Sequence, residues 1–252
     1  MSSYDFSSPR LFVDALLSPQ ARLALNPAQA NYLRNALRLQ DGAEVLVFNG
    51  RDGEWRARLD ASNRKNPALV ALECVRAQHP PYDLHYLFAP LKHARLDYMV
   101  QKAVEMGAGR LCPILTRRTQ AERINLERMR ANAIEAAEQC GILAIPEISP
   151  PVRLDAALAD WSPDRLLVFC DEDAPVDNPI EALRAIAEGA PRSLAILIGP
   201  EGGFDPQERQ SLLATPHVLR LSLGPRILRA DTAAVAALAL LQAGLGDWRS
   251  PR

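Results

Sequence analysis

The sequence is poor in the residues that build metal and disulfide sites. Its four cysteines lie far apart, with no Cys-x-x-Cys spacing and no cluster of histidines nearby. We therefore expect no metal, and we expect reduced thiols in the core, as in proteins of a reducing compartment. The cysteines are Cys74, Cys112, Cys140 and Cys170.

Long apolar runs are also lacking. No segment approaches the length of a membrane span, and residues 1–10 are polar, without the apolar stretch of a signal peptide. We expect a cytoplasmic protein that does not enter a membrane. Its 252 residues, 48% of them hydrophobic, suffice for one large or two modest globular domains.

The net charge of −1 does not indicate a nucleic-acid binder, but a phosphate backbone needs only a local basic face. Any one arginine is more simply explained as part of a solvated surface. Basic residues are nevertheless concentrated in the first third of the chain, and Arg34 and Arg38 lie at helical spacing. The set comprises Arg22, Arg34, Arg38, Arg51, Arg56, Arg58, Arg64 and Lys65.

Residues 1–78 predict a small β-rich domain. Asn49-Gly50, with Asp52-Gly53 close behind, marks a hairpin loop, and short strands of this kind are expected to close into a barrel. His79-Pro80-Pro81 predicts a linker, because successive prolines disfavour both helix and strand pairing. We expect strands over 10–14, 23–25, 45–48, 54–59 and 68–75, and a helix over 27–37.

Residues 79–252 predict a second domain in which strands alternate with helices. This alternation is typical of an α/β fold with a mainly parallel sheet covered by helices. We expect strands over 84–90, 111–115, 144–148, 166–170, 194–198 and 218–223, and helices over 96–106, 126–140, 154–161, 179–188 and 232–243.

Two loops of this domain carry candidate chemistry. The first, Gly199-Pro-Glu-Gly-Gly203, follows a buried strand, and its glycines let the main chain turn sharply and approach a ligand. Asp205, Pro206 and Glu208 then predict a capped helix start. The loop lacks the residues of a dinucleotide fingerprint or a phosphate-binding loop, so taken alone it is explained equally well as a tight turn.

The second loop lies within Leu221-Ser-Leu-Gly-Pro-Arg-Ile-Leu-Arg229 and connects another apolar strand to a helix rich in alanine and leucine. We expect the two strand-loop-helix units to be neighbours. Together, LIGPEGGF and LGPRILRADTA resemble the S-adenosylmethionine-binding end of the trefoil-knotted SPOUT methyltransferases, and within them the 16S rRNA (uracil-N3)-methyltransferases. The resemblance spans nearly the whole chain, through Lys92, 101–107, 138–141 and 146–147.

The resemblance implies a fold and a cofactor site. Residues 1–78 correspond to a PUA-like RNA-binding β-barrel, in which Arg10, Arg34 and Arg38 dock RNA, with Lys92 as a further RNA contact. Residues 79–252 correspond to a SPOUT domain with a deep trefoil knot, in which S-adenosylmethionine lies between the loops 169–173, 198–203 and 221–228. The implied cofactor-binding residues are Phe169, Ile198, Gly199, Gly202, Gly203, Leu221, Leu223, Gly224, Ile227 and Leu228.

Methylation of uridine N3 requires removal of an imide proton, and negative charge then develops on N3 and the flanking carbonyl oxygens. A guanidinium stabilises that charge, and a carboxylate accepts the proton or orients the base. Arg229 is the candidate guanidinium, and Asp231 and Glu201 are the candidate carboxylates. Asp231 is alternatively a helix N-cap, Glu201 a turn residue, and Arg229 a phosphate contact or a structural ion pair.

The sequence departs from the family pattern in two places. The family's Arg-Thr-Glu-Thr-Ala reads Arg229-Ala-Asp-Thr-Ala233 here, which shortens the carboxylate side chain by one methylene. Ile142 stands where an arginine is common, which removes one contact to RNA.

The expected activity is methylation of N3 of a uridine in 16S rRNA of the small ribosomal subunit, with S-adenosylmethionine as cofactor. The alternatives are a SPOUT methyltransferase for another rRNA or tRNA position and a non-catalytic RNA-binding assembly module. The helix over 232–243 is apolar nearly all the way round and must be buried on all sides. We expect a homodimer interface there, and a core helix of a monomer is the alternative.

Overall fold

The computed structural model describes residues 5, 7–63, 66–92, 94–120, 123–176, 178–187, 189 and 193–249. By its internal contacts the chain divides into two units. Unit 1 contains the described residues up to Pro80 together with Ala137–Ile145, and unit 2 contains Pro81–Ala136 and the described residues from Pro146 onward. The sequence did not predict that the segment Ala137–Ile145 belongs with unit 1.

Five strands in the described part of unit 1 form one mixed sheet. They are β1 (Arg10–Phe12), β2 (Arg22–Ala24), β3 (Glu44–Phe48), β4 (Glu54–Asp60) and β5 (Ala68–Arg76). The strand order is β1-β3-β4-β5-β2, with β1 and β3 parallel and the other pairs antiparallel. In β4, Trp55, Ala57 and Leu59 are buried while Arg56 and Arg58 are exposed, which is the alternation of a sheet with one covered face. The predicted β-rich domain is confirmed.

The predicted helix over 27–37 is two elements. Helix α1 (Pro27–Asn31) begins with a capping box between Asn26 and Gln29. A π-helical turn, Tyr32–Ala36, follows, so the prediction of one regular α-helix was wrong. The wider turn buries Leu33 completely in the core, and the chain leaves it at Arg38, whose φ of 56° lies in the left-handed region.

Unit 2 contains a parallel sheet. Its strands in the described residues are β6 (Leu84–Phe88), β7 (Arg110–Leu115), β8 (Glu147–Ile148), β9 (Val152–Arg153), β10 (Arg165–Cys170), β11 (Ser193–Ile198) and β12 (Val218–Leu221). The order is β12-β10-β11-β6-β7-β8, β9 also pairs with β7, and every pair is parallel. The predicted parallel α/β sheet is confirmed. β9 was not predicted, because two residues are too few to show a period.

Helices connect these strands. They are α2 (Ala94–Glu105), α3 (Leu126–Cys140), α4 (Leu154–Ala159), α5 (Pro179–Ile186), α6 (Pro206–Leu213) and α7 (Ala230–Gly244). Gly107 and Gly141, at φ of 80° and 64°, follow α2 and α3 and end them in the left-handed conformation. The predicted end of the fifth helix at Glu188 lies outside the described residues. No helix in the described ranges is both long and apolar enough to cross a membrane.

The core of unit 2 lies on its sheet. Leu87, Phe169 and Leu197 pack with Leu154 of α4 and Leu212 of α6. Helix α7 packs against β11, α2 and α5. Because the strands are parallel, their carboxyl ends share one edge of the sheet, where the loops after β6, β10, β11 and β12 gather.

The cysteines are free, but only two of the four are shielded from solvent. Cys112 and Cys170 are half-buried, and burial raises the pKa of Cys170 to about 12. Cys74 and Cys140 are exposed, so the prediction of four core thiols was wrong for this pair. Cys74 lies in the outer part of β5 and Cys140 is the last residue of α3, and neither position faces a core.

Candidate active site

The two candidate loops are not carried by adjacent strands. β10 lies between β11 and β12, so the expectation that the two strand-loop-helix units are direct neighbours was wrong. The loop that follows β10 therefore lies between the Gly199–Gly203 loop and the loop after β12. On the other side of β11, β6 brings in a fourth segment, which contains Lys92 and Arg95.

Helix α6 begins as predicted. The Asp205 carboxylate accepts from the main-chain N–H of Gln207 at 3.0 Å, and the Glu208 carboxylate accepts from the N–H of Asp205 at 3.0 Å. Glu208 also accepts from the N–H of Arg117 at 2.8 Å, and Arg118 donates to the carbonyl of Gly202 at 2.6 Å. The loop after β7 thus holds both the start of α6 and the end of the Gly199–Gly203 loop.

Gly199 is required by side-chain packing. A Cβ atom there would lie 2.5 Å from the Phe204 ring, closer than real contacts allow. The Phe204 ring in turn packs edge-on against Phe169, with ring centroids 5.3 Å apart. The Phe169 side chain is therefore part of the core, and this residue offers a ligand only its main chain.

The loops leave room for a ligand at two other glycines. A Cβ at Gly203 or Gly224, at φ of 70° and 95°, would meet no described atom within 4 Å. Ile227 is 97% exposed, and Leu223 and Leu228 are half-buried beside it in the chain. Open main chain next to free apolar side chains fits the polar and adenine parts of S-adenosylmethionine. Ile198 and Leu221 are buried, so among the implied cofactor residues they too offer main chain only.

Arg95 joins the two candidate carboxylates and was missed in the sequence. Its Nε and Nη2 donate to the two carboxylate oxygens of Asp231, each at 3.2 Å, and its Nη1 donates to Glu201 Oε1. The hydrogen bonds from Arg95 hold the pKa of Asp231 below its usual value, and those from Asp231 and Glu201 raise the pKa of Arg95. Asp231 is thus held ionised against a permanent cation.

The positions of Asp231 and Arg229 bear on two of the alternative explanations, the helix N-cap and the structural ion pair. The N-cap of α7 is Arg229, so Asp231 is not a cap; it lies in the first turn of the helix, where its negative charge suits the helix dipole. Arg229 is exposed, and its guanidinium makes no hydrogen bond or ion pair with any residue that the structure describes. A structural ion pair for Arg229 is therefore absent from the described part of the chain.

Asp171 is a second residue that the sequence analysis missed. Its buried carboxylate accepts from Arg209 of α6 at 2.9 Å and from Arg220 of β12 at 2.7 Å, and Arg220 also donates to the carbonyl of Asp173. These bonds anchor the 169–173 loop. The available signal was an acidic residue directly after a buried strand, at the edge of the sheet where ligands bind.

The implied RNA contacts differ in exposure. Arg38 and Lys92 are exposed and Arg34 is half-buried. Arg10 is only 8% exposed and is ion-paired with Glu54 in the interior of unit 1. Its side chain supports the sheet and does not face a ligand, so the RNA-docking role expected of Arg10 is corrected. Arg64 and Lys65 lie outside the described residues.

Two family models match the chain. The RNA methyltransferase domain matches residues 78–242, which is more than half of the chain, and the RNA methyltransferase PUA domain matches residues 25–72. Ribosomal RNA small subunit methyltransferase E of Synechocystis is 31% identical over 89% of this chain and 74% of that protein. This chain belongs to the methyltransferase E family.

Other members and structures agree with this family. The methyltransferase E of Rickettsia conorii is 28% identical over 91% of this chain and 93% of its own. A putative methyltransferase from Legionella pneumophila, solved with bound SAM, is 30% identical with a TM-score of 0.81, and covers 95% of this chain and 99% of that one. The methyltransferase E from Neisseria gonorrhoeae has a TM-score of 0.83 at 23% identity over 94% of this chain and 98% of that one, which shows the shared fold.

Proposed function

We propose that this protein transfers a methyl group from S-adenosylmethionine to N3 of a uridine in 16S rRNA of the small ribosomal subunit, in the cytoplasm. The observation that carries the proposal is the set of charges at the carboxyl edge of the unit 2 sheet. Glu201 and Asp231 share Arg95, and the exposed Arg229, which has no partner among the described residues, lies two positions before Asp231. Deprotonation of an imide is assisted by a carboxylate that accepts the proton and by a cation that stabilises the negative charge left on the ring. Both kinds of group are present here.

Each group has a task in this reaction. The bound cofactor supplies an electrophilic methyl group on a sulfonium. A carboxylate of the pair accepts the N3 proton, because the neutral imide nitrogen has no free electron pair for attack. Arg229 faces the negative charge that develops on the carbonyl oxygens of the base. Gly203 and Gly224 offer open main chain, and Ile227 an exposed side chain, to the cofactor.

The proposed cofactor site also includes the trefoil knot. In this proposal the chain after the Gly199–Gly203 loop threads back under that loop, and the segments 169–173, 198–203 and 221–228 enclose the cofactor. The adjacency of β11, β10 and β12 supports this, because it brings the three segments to one edge of the sheet. Catalysis is assigned to residues 79–252 and RNA docking to the PUA-like residues 1–78, with Arg34 and Arg38 in unit 1 and Lys92 in unit 2 as phosphate contacts.

A homodimer through α7 is part of the proposal. One stripe of this helix is buried in the single chain, formed by Ala230, Ala233, Ala234, Ala237, Leu238, Leu241 and Gln242. A second apolar stripe is only half-buried and consists of Val235, Ala236, Ala239 and Leu240. The spacing of the second stripe repeats that of a packed helix face, which favours burial against a symmetry-related copy.

Incubation of the protein with methyl-labelled S-adenosylmethionine and unmodified small subunits, followed by mapping of the labelled base, tests the function. We expect one labelled uridine in 16S rRNA, with the methyl group on N3. Label on another rRNA position or on tRNA would assign a different substrate. Cofactor binding without label in either RNA would assign a non-catalytic RNA-binding module and end the proposal.

A further inference from the structure

Arg95 occupies a place that helix stability does not explain. It is the second residue of α2, where a positive charge opposes the helix dipole. Two carboxylates from distant parts of the chain, Glu201 and Asp231, offset this unfavourable position. A cation placed against the local preference and held by long-range partners is typical of a residue that serves the site.

The two partners hold Arg95 unequally. Asp231 accepts two hydrogen bonds in a fork-to-fork arrangement, and its side chain is 19% exposed. Glu201 accepts from one nitrogen, and its side chain is 46% exposed. A bidentate, more buried contact persists better than a single contact in water, because competing water weakens the exposed ion pair. Asp231 is therefore the anchor, and the Glu201 contact is the exchangeable one.

We propose that Arg95 is a catalytic residue that exchanges Glu201 for a carbonyl oxygen of the target base, while Asp231 holds the guanidinium in place. Glu201, released from the cation, accepts the N3 proton on a carboxylate oxygen. The proposal rests on the proposed function and divides the two carboxylates, which the sequence left equivalent, into an anchor and a base.

The charges at the site favour this division. Arg95, Glu201 and Asp231 together carry a net negative charge, which disfavours an anionic uracil ring beside Glu201 unless a nitrogen of Arg95, in addition to Arg229, faces that ring. Of the five N–H groups of Arg95, the fork on Asp231 uses one on Nε and one on Nη2, and Glu201 uses one on Nη1. Release of the Glu201 contact therefore frees Nη1 completely for the uracil ring, while the fork on Asp231 stays in place. The lowered pKa of Asp231 agrees with the anchor role, because a carboxylate stabilised in its ionised form is a poor proton acceptor.

The test compares Arg95→Ala, Arg95→Lys, Glu201→Gln and Asp231→Asn with a matched control, Arg153→Ala. Arg153 is an exposed arginine of the same unit that pairs with the exposed Asp155. For each variant we measure kcat and KM for methyl transfer, with kcat followed as a function of pH. Affinity for a uridine-containing RNA is measured by fluorescence anisotropy, and affinity for S-adenosylmethionine by calorimetry. Thermal unfolding confirms that each variant is folded.

Arg95→Ala is expected to lower kcat about a hundredfold or more and to weaken RNA binding, with cofactor affinity unchanged. Arg95→Lys, which keeps the charge but loses the fork, is expected to recover part of the RNA affinity and little of kcat. Glu201→Gln is expected to abolish turnover while RNA binds as tightly as before or more tightly, since the competing partner is weakened. Asp231→Asn is expected to lower kcat and to leave the acidic limb of the pH profile in place.

Three results overturn the role. A folded Arg95→Ala protein with the kcat of Arg153→Ala would make Arg95 a structural residue. Loss of RNA affinity in Glu201→Gln would show that Glu201 binds the RNA directly. Loss of the acidic limb in Asp231→Asn, with the limb intact in Glu201→Gln, would make Asp231 the base. A wild-type protein that methylates no uridine overturns the proposed function itself, whatever the variants do.

Discussion

Arg229 is the cation that has no partner within the described chain, and its loss should separate chemistry from binding. We expect Arg229→Ala to lower the rate of methyl transfer about a hundred- to a thousandfold, because its guanidinium acts on charge that appears only in the transition state. Cofactor affinity should stay near the wild-type value, as measured by calorimetry. If calorimetry shows instead that binding is abolished, Arg229 belongs to the cofactor site.

His85 on β6 predicts a pH dependence of stability. Burial, with help from Arg165 and Arg110, lowers its pKa from 6.5 to about 4, and this outweighs the attraction of Asp83, whose carboxylate lies 3.6 Å from His85 Nε2. Between these two pH values His85 binds a proton in the unfolded chain but stays neutral in the folded chain. The free energy of unfolding should therefore be highest above pH 6.5 and fall as pH drops toward 4, by roughly 3 kcal/mol from this group.

The control for His85 is His85→Gln, which cannot gain the proton. Denaturant unfolding at a series of pH values should give a flatter curve for this variant between pH 6.5 and 4, the two values of the histidine. Identical curves for the two proteins would mean that His85 titrates alike in the folded and unfolded chains.

At the scale of single residues, the sequence predicted those whose role depends on near neighbours. Asp205 and Glu208 were recognised because a capping box is complete within four positions of the chain. Arg95 was not, because its partner Asp231 is 136 positions away and becomes a neighbour only when β6 and α7 are in place. The RNA-docking role predicted for Arg10 was wrong for the same reason. Its partner in the interior, Glu54, belongs to another strand.

The turn between β11 and α6 depends on the absence of a side chain at Gly199. We expect Gly199→Ala to destabilise the protein by about 1–3 kcal/mol, because the methyl group must displace the Phe204 ring from Phe169. Thermal unfolding measures the effect. Phe204→Leu, which removes the ring atoms that meet the methyl group, should make a second substitution at Gly199 less costly, and a double-mutant cycle gives the coupling.

Gly189→Ala, in the connection between α5 and β11, is the control for the substitution at Gly199. A Cβ there meets nothing within 4 Å, so the substitution should change stability little. Equal decreases in the free energy of unfolding for Gly189→Ala and Gly199→Ala would mean that replacement of a glycine, and not the contact with the Phe204 ring, causes the destabilisation.

The half-buried stripe of α7 predicts association. We expect sedimentation to give a dimer at micromolar concentration and Leu240→Lys to shift it toward monomer, because a charge in the centre of an apolar interface is left without a partner. Leu213→Lys, at an exposed leucine of α6, should leave the dimer intact. A wild-type monomer at that concentration would contradict the interface.

At the scale of elements, strand and helix positions followed from the apolar periodicity, and most ends were found within a few residues. The order of the strands was not accessible in the same way. Nothing in the segments around β11 and β12 indicates that β10 lies between them, because strand order is set by pairing between segments that are far apart in the chain. The π-helical turn at Tyr32–Ala36 was missed because its residues have the apolar spacing of an ordinary helix.

For the molecule as a whole, RNA binding should respond to charge on unit 1. We expect Arg34→Gln combined with Arg38→Asn to weaken RNA binding and to flatten its salt dependence, with the log-log slope falling by about 0.7–0.9 for each phosphate that the protein no longer neutralises. Asparagine is chosen at position 38 because it tolerates the positive φ found there. Arg56→Ala, at an exposed arginine already paired with Glu44 and Glu73, is the control and should leave the slope unchanged.

Point substitutions test the RNA-docking role of unit 1 better than deletion of residues 1–78. Within unit 1, the N–H of Phe12 donates to Glu138 at 2.7 Å and Arg76 donates to the carbonyl of Gly141 at 2.6 Å. Deletion would leave these acceptors in the 137–145 segment without their donors, so a loss of RNA affinity would be confounded by a loss of structure. Unchanged affinity in the double substitution would contradict the assignment of RNA docking to these arginines.

The membership of Ala137–Ile145 in unit 1 also has a consequence for the time at which that unit is finished. Its strands are complete when the ribosome has passed Pro80, but its last segment is not made until Ile145. At usual rates of translation the interval is roughly 3 to 13 s, and during it the sheet is without Glu138 and Gly141, two acceptors that Phe12 and Arg76 use in the finished unit. The N-terminal unit is thus begun first and closed later, and its completion is timed by synthesis of the region that follows it.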